Sequence, residues 1–179
     1  YFHSFDYGKV DGIIFSPVID QGYGDRNGKI IQLLKDKAIS HVLVDRFIPG
    51  VQSSYVISDD LESSRLMTHS LIRAGHSRIL VGMGLECSSM IRRVKGIRQA
   101  FLENNLEFDE NLLIKVNDNL LSPDTNPAEL KAMEDQINRA GGFTAFYAQN
   151  DRLLNAGLDS MLELGMDVSS VQLALHNEV

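Results

Sequence analysis

Short apolar runs rich in Val, Ile, Leu and Phe alternate along the chain with longer stretches whose apolar positions recur every three or four residues. The short runs cover residues 12–15, 41–44, 55–57, 78–81, 112–116, 143–147 and 171–175, and most lack strict apolar–polar alternation. That pattern predicts strands covered on both faces. Between them, helical periodicity predicts helices over 29–37, 61–74, 88–104, 128–140 and 152–164. In the third of these, Ile91, Val94, Ile97 and Phe101 form an apolar stripe, while Arg92, Arg93, Lys95 and Arg98 form a charged face. Strand and helix in regular alternation predict βα units feeding a mainly parallel sheet, an α/β fold.

Helix boundaries have their own signals. Asp59 followed by Glu62 reads as a capping-box variant at the start of the second helix, and Gly75 and Gly165 stand where helices should stop. The stretch 120–127, with Ser122, Pro123, Asp124, Asn126 and Pro127, is the clearest loop. No internal repeat or low-complexity tract interrupts the alternation.

Composition narrows the class. The 179 residues are 44% hydrophobic and 23% charged, as expected for a folded soluble protein. No apolar run approaches the roughly 20 residues of a membrane-spanning helix, and no N-terminal segment reads as a signal peptide. One cysteine, Cys87, cannot form an intrachain disulfide, which favours the cytoplasm. A net charge of −7 argues against broad attraction to phosphate backbones, so DNA contact would need another module.

Ligands of open parallel sheets bind at the carboxyl ends of strands, where loops and helix N-termini present polar groups to a crevice. That rule selects Ser16, Asp45, Asp59, Asp60, Gly82 to Gly84, Asn117 to Asn119, Asn150, Asp151, His176 and Asn177. The set is rich in amides, carboxylates and hydroxyls, which suit a polyhydroxylated or heterocyclic ligand. It lacks catalytic pairings: there is no phosphate-loop motif, no Gly-x-Ser-x-Gly, no His-Glu-x-x-His and no cysteine pair. The five histidines are scattered, which argues against a metal site, and nothing calls for a cofactor. Gly82-Met83-Gly84 begins like a dinucleotide fingerprint, but Cys87 stands in place of the third glycine, leaving a tight strand-to-loop turn as its reading.

The phrases along the chain resemble a family. Val10-Asp11-Gly12-Ile13-Ile14, Val44-Asp45-Arg46 and Ser58-Asp59-Asp60 are similar, in order, to the N-terminal lobe of LacI/GalR transcriptional regulators. Ala74-Gly75-His76-Ser77-Arg78-Ile79 resembles that family's Gly-His-x-x-Ile phrase between lobes. Arg92 to Ile97 is similar to its Arg-x-x-Gly-aromatic helix, and Asn150-Asp151 with Gly157 to its Asn-Asp-x-x-Ala-x-Gly helix start.

The resemblance implies a periplasmic-binding-protein-like fold of two lobes, 1–75 and 76–179, each a mainly parallel sheet flanked by helices and each incomplete at its chain end. It implies a non-enzymatic effector sensor that binds a small polar molecule, sugar-like or a purine, in the cleft between lobes. Glu62, Arg93, Asn150 and Asn177 would contact that ligand, with Asp60 as a second-rank candidate. It further implies a cytoplasmic homodimer, away from membranes, that reaches DNA through an upstream head. A transporter's extracytoplasmic sugar-binding protein is the alternative, and a small sugar or nucleotide hydrolase a more distant third.

The chain departs from the family where Leu175-His176-Asn177-Glu178 replaces the usual Gly-aromatic-Asp-Asp, and where no tryptophan offers a stacking surface near residues 117–119; Phe15 or Tyr147 are the substitutes at hand. Plainer roles stand beside each assignment. Arg93 fits a solvated helix face, Asn150 and Asp60 fit helix caps, Glu62 fits a first-turn carboxylate, and His76 fits a structural link between lobes.

Overall fold

A computed structural model describes residues 9–19, 26–117 and 127–176. In chain order its elements are β1 (Gly12–Phe15), α1 (Arg26–Asp36), β2 (Ser40–Val44), β3 (Tyr55–Val56), α2 (Asp60–Arg73), β4 (Ile79–Met83), α3 (Ser88–Glu103), β5 (Leu113–Lys115), α4 (Pro127–Ala140), β6 (Ala145–Ala148), α5 (Asp151–Glu163) and β7 (Gln172–Leu175). Each strand and helix expected from patterning is present, with ends moved by a few residues. Single 3-10 turns at Glu110–Leu112 and Val168–Ser170 lead into β5 and β7, each started by an aspartate, Asp109 or Asp167, whose carboxylate accepts a backbone N–H two residues on.

The strands form two parallel sheets, β1-β2-β3 and β5-β4-β6-β7. Contact density separates the chain into two compact units. One holds the chain up to Asp59 together with Cys87–Ser89, and the other holds Asp60–Glu86 and the chain from Met90 onward. The change of unit thus falls between Asp59 and Asp60, with the whole of α2 in the second.

Packing explains why α2 joins the second unit. Leu71 on α2 is buried in a cluster with Ile79 and Val81 of β4, Ile97 and Phe101 of α3, and Ala145 and Tyr147 of β6. A Cβ on Gly96 would lie 2.1 Å from the Leu61 carbonyl oxygen and 2.4 Å from Ser64 Oγ, so α2 and α3 touch backbone to backbone where α3 has no side chain. The opposite face of the same sheet buries Leu80, Ile114, Phe146 and Ala148 against Met133 and Ile137 of α4 and Leu153 and Met161 of α5. Ile79 and Val81 therefore point one way and Leu80 the other, and both directions are core, hence the unbroken apolar run. Burying each large aliphatic side chain contributes about 1.5–3 kcal/mol.

One glycine segment differs in role from its sequence reading. Gly82 is an interior strand position: its Cβ would press on the Phe146 ring at 3.2 Å, and its carbonyl accepts the Gln149 N–H. The turn expected at Gly82 begins later, after Met83. Gly157 on α5 is required by the same ring, which a Cβ would meet at 2.4 Å. Gly75 and Gly165, at φ of +97° and +71°, end α2 and α5 as expected.

In the first unit, a smaller cluster of Phe15, Ile31, Leu34, Ile39 and Leu43 holds α1 against β1 and β2. Ile14 is 76% exposed and both residues of β3 are exposed, so these strands are not covered on both faces as the central strands of the second unit are.

Candidate ligand-binding site

The carboxyl edge of the four-stranded sheet carries a buried polar constellation, all of it within the second unit. Its centre is Arg93, on the side of α3 that faces the sheet. The guanidinium is 2% exposed; its Nε donates to Asp60 Oδ1 at 2.8 Å and its Nη1 to the Gln149 carbonyl oxygen at 2.9 Å. Asp60, the first residue of α2, is 1% exposed. Such a pair survives burial because charge and hydrogen bond coincide, and because the strand-end carbonyl takes a further guanidinium proton. Ser64, one turn along α2, lies 2.6 Å from the Asp60 carbonyl oxygen and 2.9 Å from that of Arg93, tying the backbones of α2 and α3 at the level of the ion pair.

A second arm runs through β6 and β7. The Tyr147 hydroxyl lies 2.6 Å from His176 Nδ1, while His176 Nε2 lies 3.4 Å from Ser63 Oγ and 4.0 Å from Asp60 Oδ1. Desolvation drives the His176 pKa down to about 4, with the Arg93 charge adding to the effect and Asp60 opposing it, so the imidazole is neutral at pH 7. Burial likewise pushes the Tyr147 hydroxyl upward, keeping it protonated.

Hydrogen-bonding capacity is left over at this edge. Among the described residues, Asp60 Oδ2 and both amide atoms of Gln149 are buried without a partner. Groups in that condition cost about 1–3 kcal/mol each unless a ligand or water satisfies them.

Against this geometry, the sequence-derived residues separate. Arg93 and Asp60 meet; Arg93 does not sit on the solvated face suggested by its basic neighbours. Asp60 is the first residue of α2, and its Oδ1 accepts from Arg93. Asn150 caps α5, its Oδ1 accepting from Leu153 N at 2.9 Å, directly after Gln149. Glu62 is held in a two-pronged ion pair by Arg65, at 2.6 and 2.7 Å, on the half-exposed side of α2, and that pairing holds its carboxyl below the usual range. Asn177 lies outside the described residues. Phe15 and Tyr147, considered as stacking surfaces, are core residues. His76 bonds Thr144 Oγ1 at 2.9 Å, joining the segment after α2 to the residue before β6 within the second unit.

Gln149, Ser63 and Ser64 were not anticipated. Gln149 was within reach of the strand-end rule, being the first residue past β6; the serines carry no pattern that separates them from ordinary helix-surface hydroxyls. Among the described residues no group of three or more metal-binding side chains comes together, and no helix is long and apolar enough to cross a membrane.

No family model matches the chain. Curated relatives do: it is 28% identical over 152 residues to the HTH-type transcriptional regulator CelR of Thermobifida fusca, covering 83% of this chain and 41% of the relative. It is 30% identical over 135 residues to the HTH-type transcriptional regulator GalR of Escherichia coli K12, covering 71% of this chain and 36% of the relative. The chain thus spans less than half the length of these regulators. Among solved structures, a transcriptional regulator CelR-cellobiose complex superposes with a TM-score of 0.73 at 26% identity, covering 92% of this chain and 48% of that one. The transcription regulator CcpA of Lactococcus lactis gives 0.70 at 25% identity, covering 94% of this chain and 58% of that one. In sequence phrases and in architecture alike, the chain belongs to the LacI/GalR family and has the α/β, periplasmic-binding-protein-like fold of its effector-binding domains.

Proposed function

We propose that this chain is the effector-sensing part of a transcriptional regulator, binding a small, neutral, sugar-like molecule at the carboxyl edge of its four-stranded sheet without altering it. The single observation that carries this reading is the Asp60–Arg93–Gln149 constellation, a fixed buried guanidinium beside Asp60 Oδ2 and a Gln149 side-chain amide that have no partner among the described residues. Preorganised polar groups over an apolar core are what a hydroxyl-rich ligand needs, since each hydroxyl both donates and accepts. Arg93, Asn150 and Asn177 are the proposed contacts; Glu62, already paired with Arg65, serves more peripherally. Binding rather than turnover is the reading that the regulator relatives favour.

Binding acts by favouring one of two conformations, and in the whole regulator this bias passes to a DNA-binding module upstream and to a second copy of the chain. The relative solved with cellobiose makes that disaccharide the first ligand to try, beside galactose, ribose and a purine. A thermal-shift titration tests the reading: ligand at about 100 times its dissociation constant stabilises the fold by roughly 2.7 kcal/mol. A stabilising sugar whose effect vanishes in a folded Arg93→Gln variant is the expected outcome. A sugar bound equally well by Arg93→Gln contradicts it.

A further inference from the structure

We propose that Asp60 is a specificity-determining residue that makes the Arg93 site reject anions, so that phosphorylated and carboxylated sugars are excluded while neutral ones are admitted. The inference rests on the sensor reading above and goes beyond it, since an arginine at a sugar site is ordinarily an invitation to a phosphate or carboxylate.

Three features of the geometry point the same way. The first is charge. Asp60 Oδ1 stands 2.8 Å from Arg93 Nε with both side chains almost wholly buried, so the positive charge is answered inside the protein before any ligand arrives. The imidazole of His176, 4.0 Å from the same carboxylate oxygen, is neutral and supplies no replacement cation. The second is the shape of the fork. Anions dock on arginine through two adjacent N–H groups. Here Nε is bound to Asp60 and Nη1 to the Gln149 carbonyl, so each two-pronged edge of the guanidinium has one prong already engaged. The third is donor and acceptor balance. Asp60 Oδ2 and Gln149 Oε1 are buried acceptors without donors among the described residues. A carboxylate brings only acceptors at neutral pH and a phosphate mostly acceptors, and the added negative charge of either is repelled beside Asp60. One sugar hydroxyl can donate to Asp60 Oδ2 while accepting from Gln149 Nε2, and a second can donate to Gln149 Oε1.

Inorganic phosphate and glucose 6-phosphate are suitable probes, titrated at constant ionic strength into the wild type, Asp60→Asn, Arg93→Gln and the double variant, with thermal midpoint as readout. The wild type is expected to show no phosphate-specific stabilisation. Asp60→Asn should gain phosphate affinity on the order of tenfold, a change worth about 1.4 kcal/mol, and the gain should disappear when Arg93→Gln is added. A role for Asp60 confined to holding the fold would lower every midpoint without creating an anion response. Phosphate stabilisation of the wild type that Arg93→Gln abolishes overturns the proposal, as does a folded Asp60→Asn with no gain. If Asp60→Asn does not fold, the wild type against Arg93→Gln decides: a phosphate response confined to the wild type refutes, and its absence upholds. Failure to find a neutral ligand would instead count against the sensor reading, leaving the phosphate comparison intact.

Discussion

Helices α2 and α3 are joined by two sets of ion pairs that use the same chemistry in different surroundings. At one end Asp60 and Arg93 pair in the interior, 1% and 3% exposed at the side chain. Farther along, Arg65 bridges Glu62 of its own helix and Glu103 of α3, with His69 at 2.7 Å from the same Glu103 oxygen, on the rim where water reaches each member. Hydrogen bonds from His69, Gln99 and Arg65 pull the Glu103 carboxyl down to about 2, so the rim network is well formed. Good geometry alone therefore does not distinguish the two. Burial does: breaking an interior pair strands an unsolvated charge, whereas a rim charge released from its partner is taken up by water.

The largest effect expected from this contrast is on Arg93→Ala, which leaves Asp60 buried and alone and should lower the unfolding free energy by about 3–5 kcal/mol in urea titrations. A loss no greater than that of a rim substitution would dissolve the distinction. Next comes the spacing that brings the helices together. Gly96→Ala places a methyl where the Leu61 carbonyl stands, forcing α2 from α3, and should cost about 2–3 kcal/mol; if stability is unchanged, the close approach is not tight in solution.

Acid provides a third comparison. His176 is held neutral in the fold, with a pKa near 4 against 6.5 when unfolded, so below about pH 6.5 the unfolded chain binds the extra proton first. Stability should therefore fall as pH drops from about 6.5 toward 4, by about 3 kcal/mol from this residue. In His176→Gln that part of the acid slope should flatten. An unaltered slope would mean that the imidazole is solvated. The smallest effect belongs to Arg65→Ala, expected to be lost in experimental scatter and to shrink further in high salt, as screened surface pairs do.

How much of this was legible in the sequence follows the same division between pattern and contact. Strand and helix positions were readable because burial on both sheet faces leaves an unbroken apolar run at residues 79–83, and stripes such as Val94, Ile97 and Phe101 mark a helix's inner side. The first unit was read less well: Ile14, Tyr55 and Val56 are as β-prone as any core residue, yet they are exposed, and propensity does not report what covers a strand. Of the site, Arg93 was singled out by its place in a phrase, while its fixed orientation needed Asp60, 33 positions away, and Gln149, 56 positions away. Nothing local encodes such pairings. Glu62 and Asp60, two residues apart at the start of one helix, illustrate the limit: their sequence credentials are alike, but they project from different sides of α2, one to the rim and one to the interior.

The central claim is that a buried guanidinium, set in place by Asp60 and the Gln149 carbonyl, is the anchor for a neutral ligand. Calorimetric titration of cellobiose, galactose and ribose into the wild type and a folded Arg93→Gln variant at pH 7 tests it most directly. The account predicts saturable binding of at least one sugar to the wild type and its loss in the variant; equal affinity in both, or no binding to either, would contradict it.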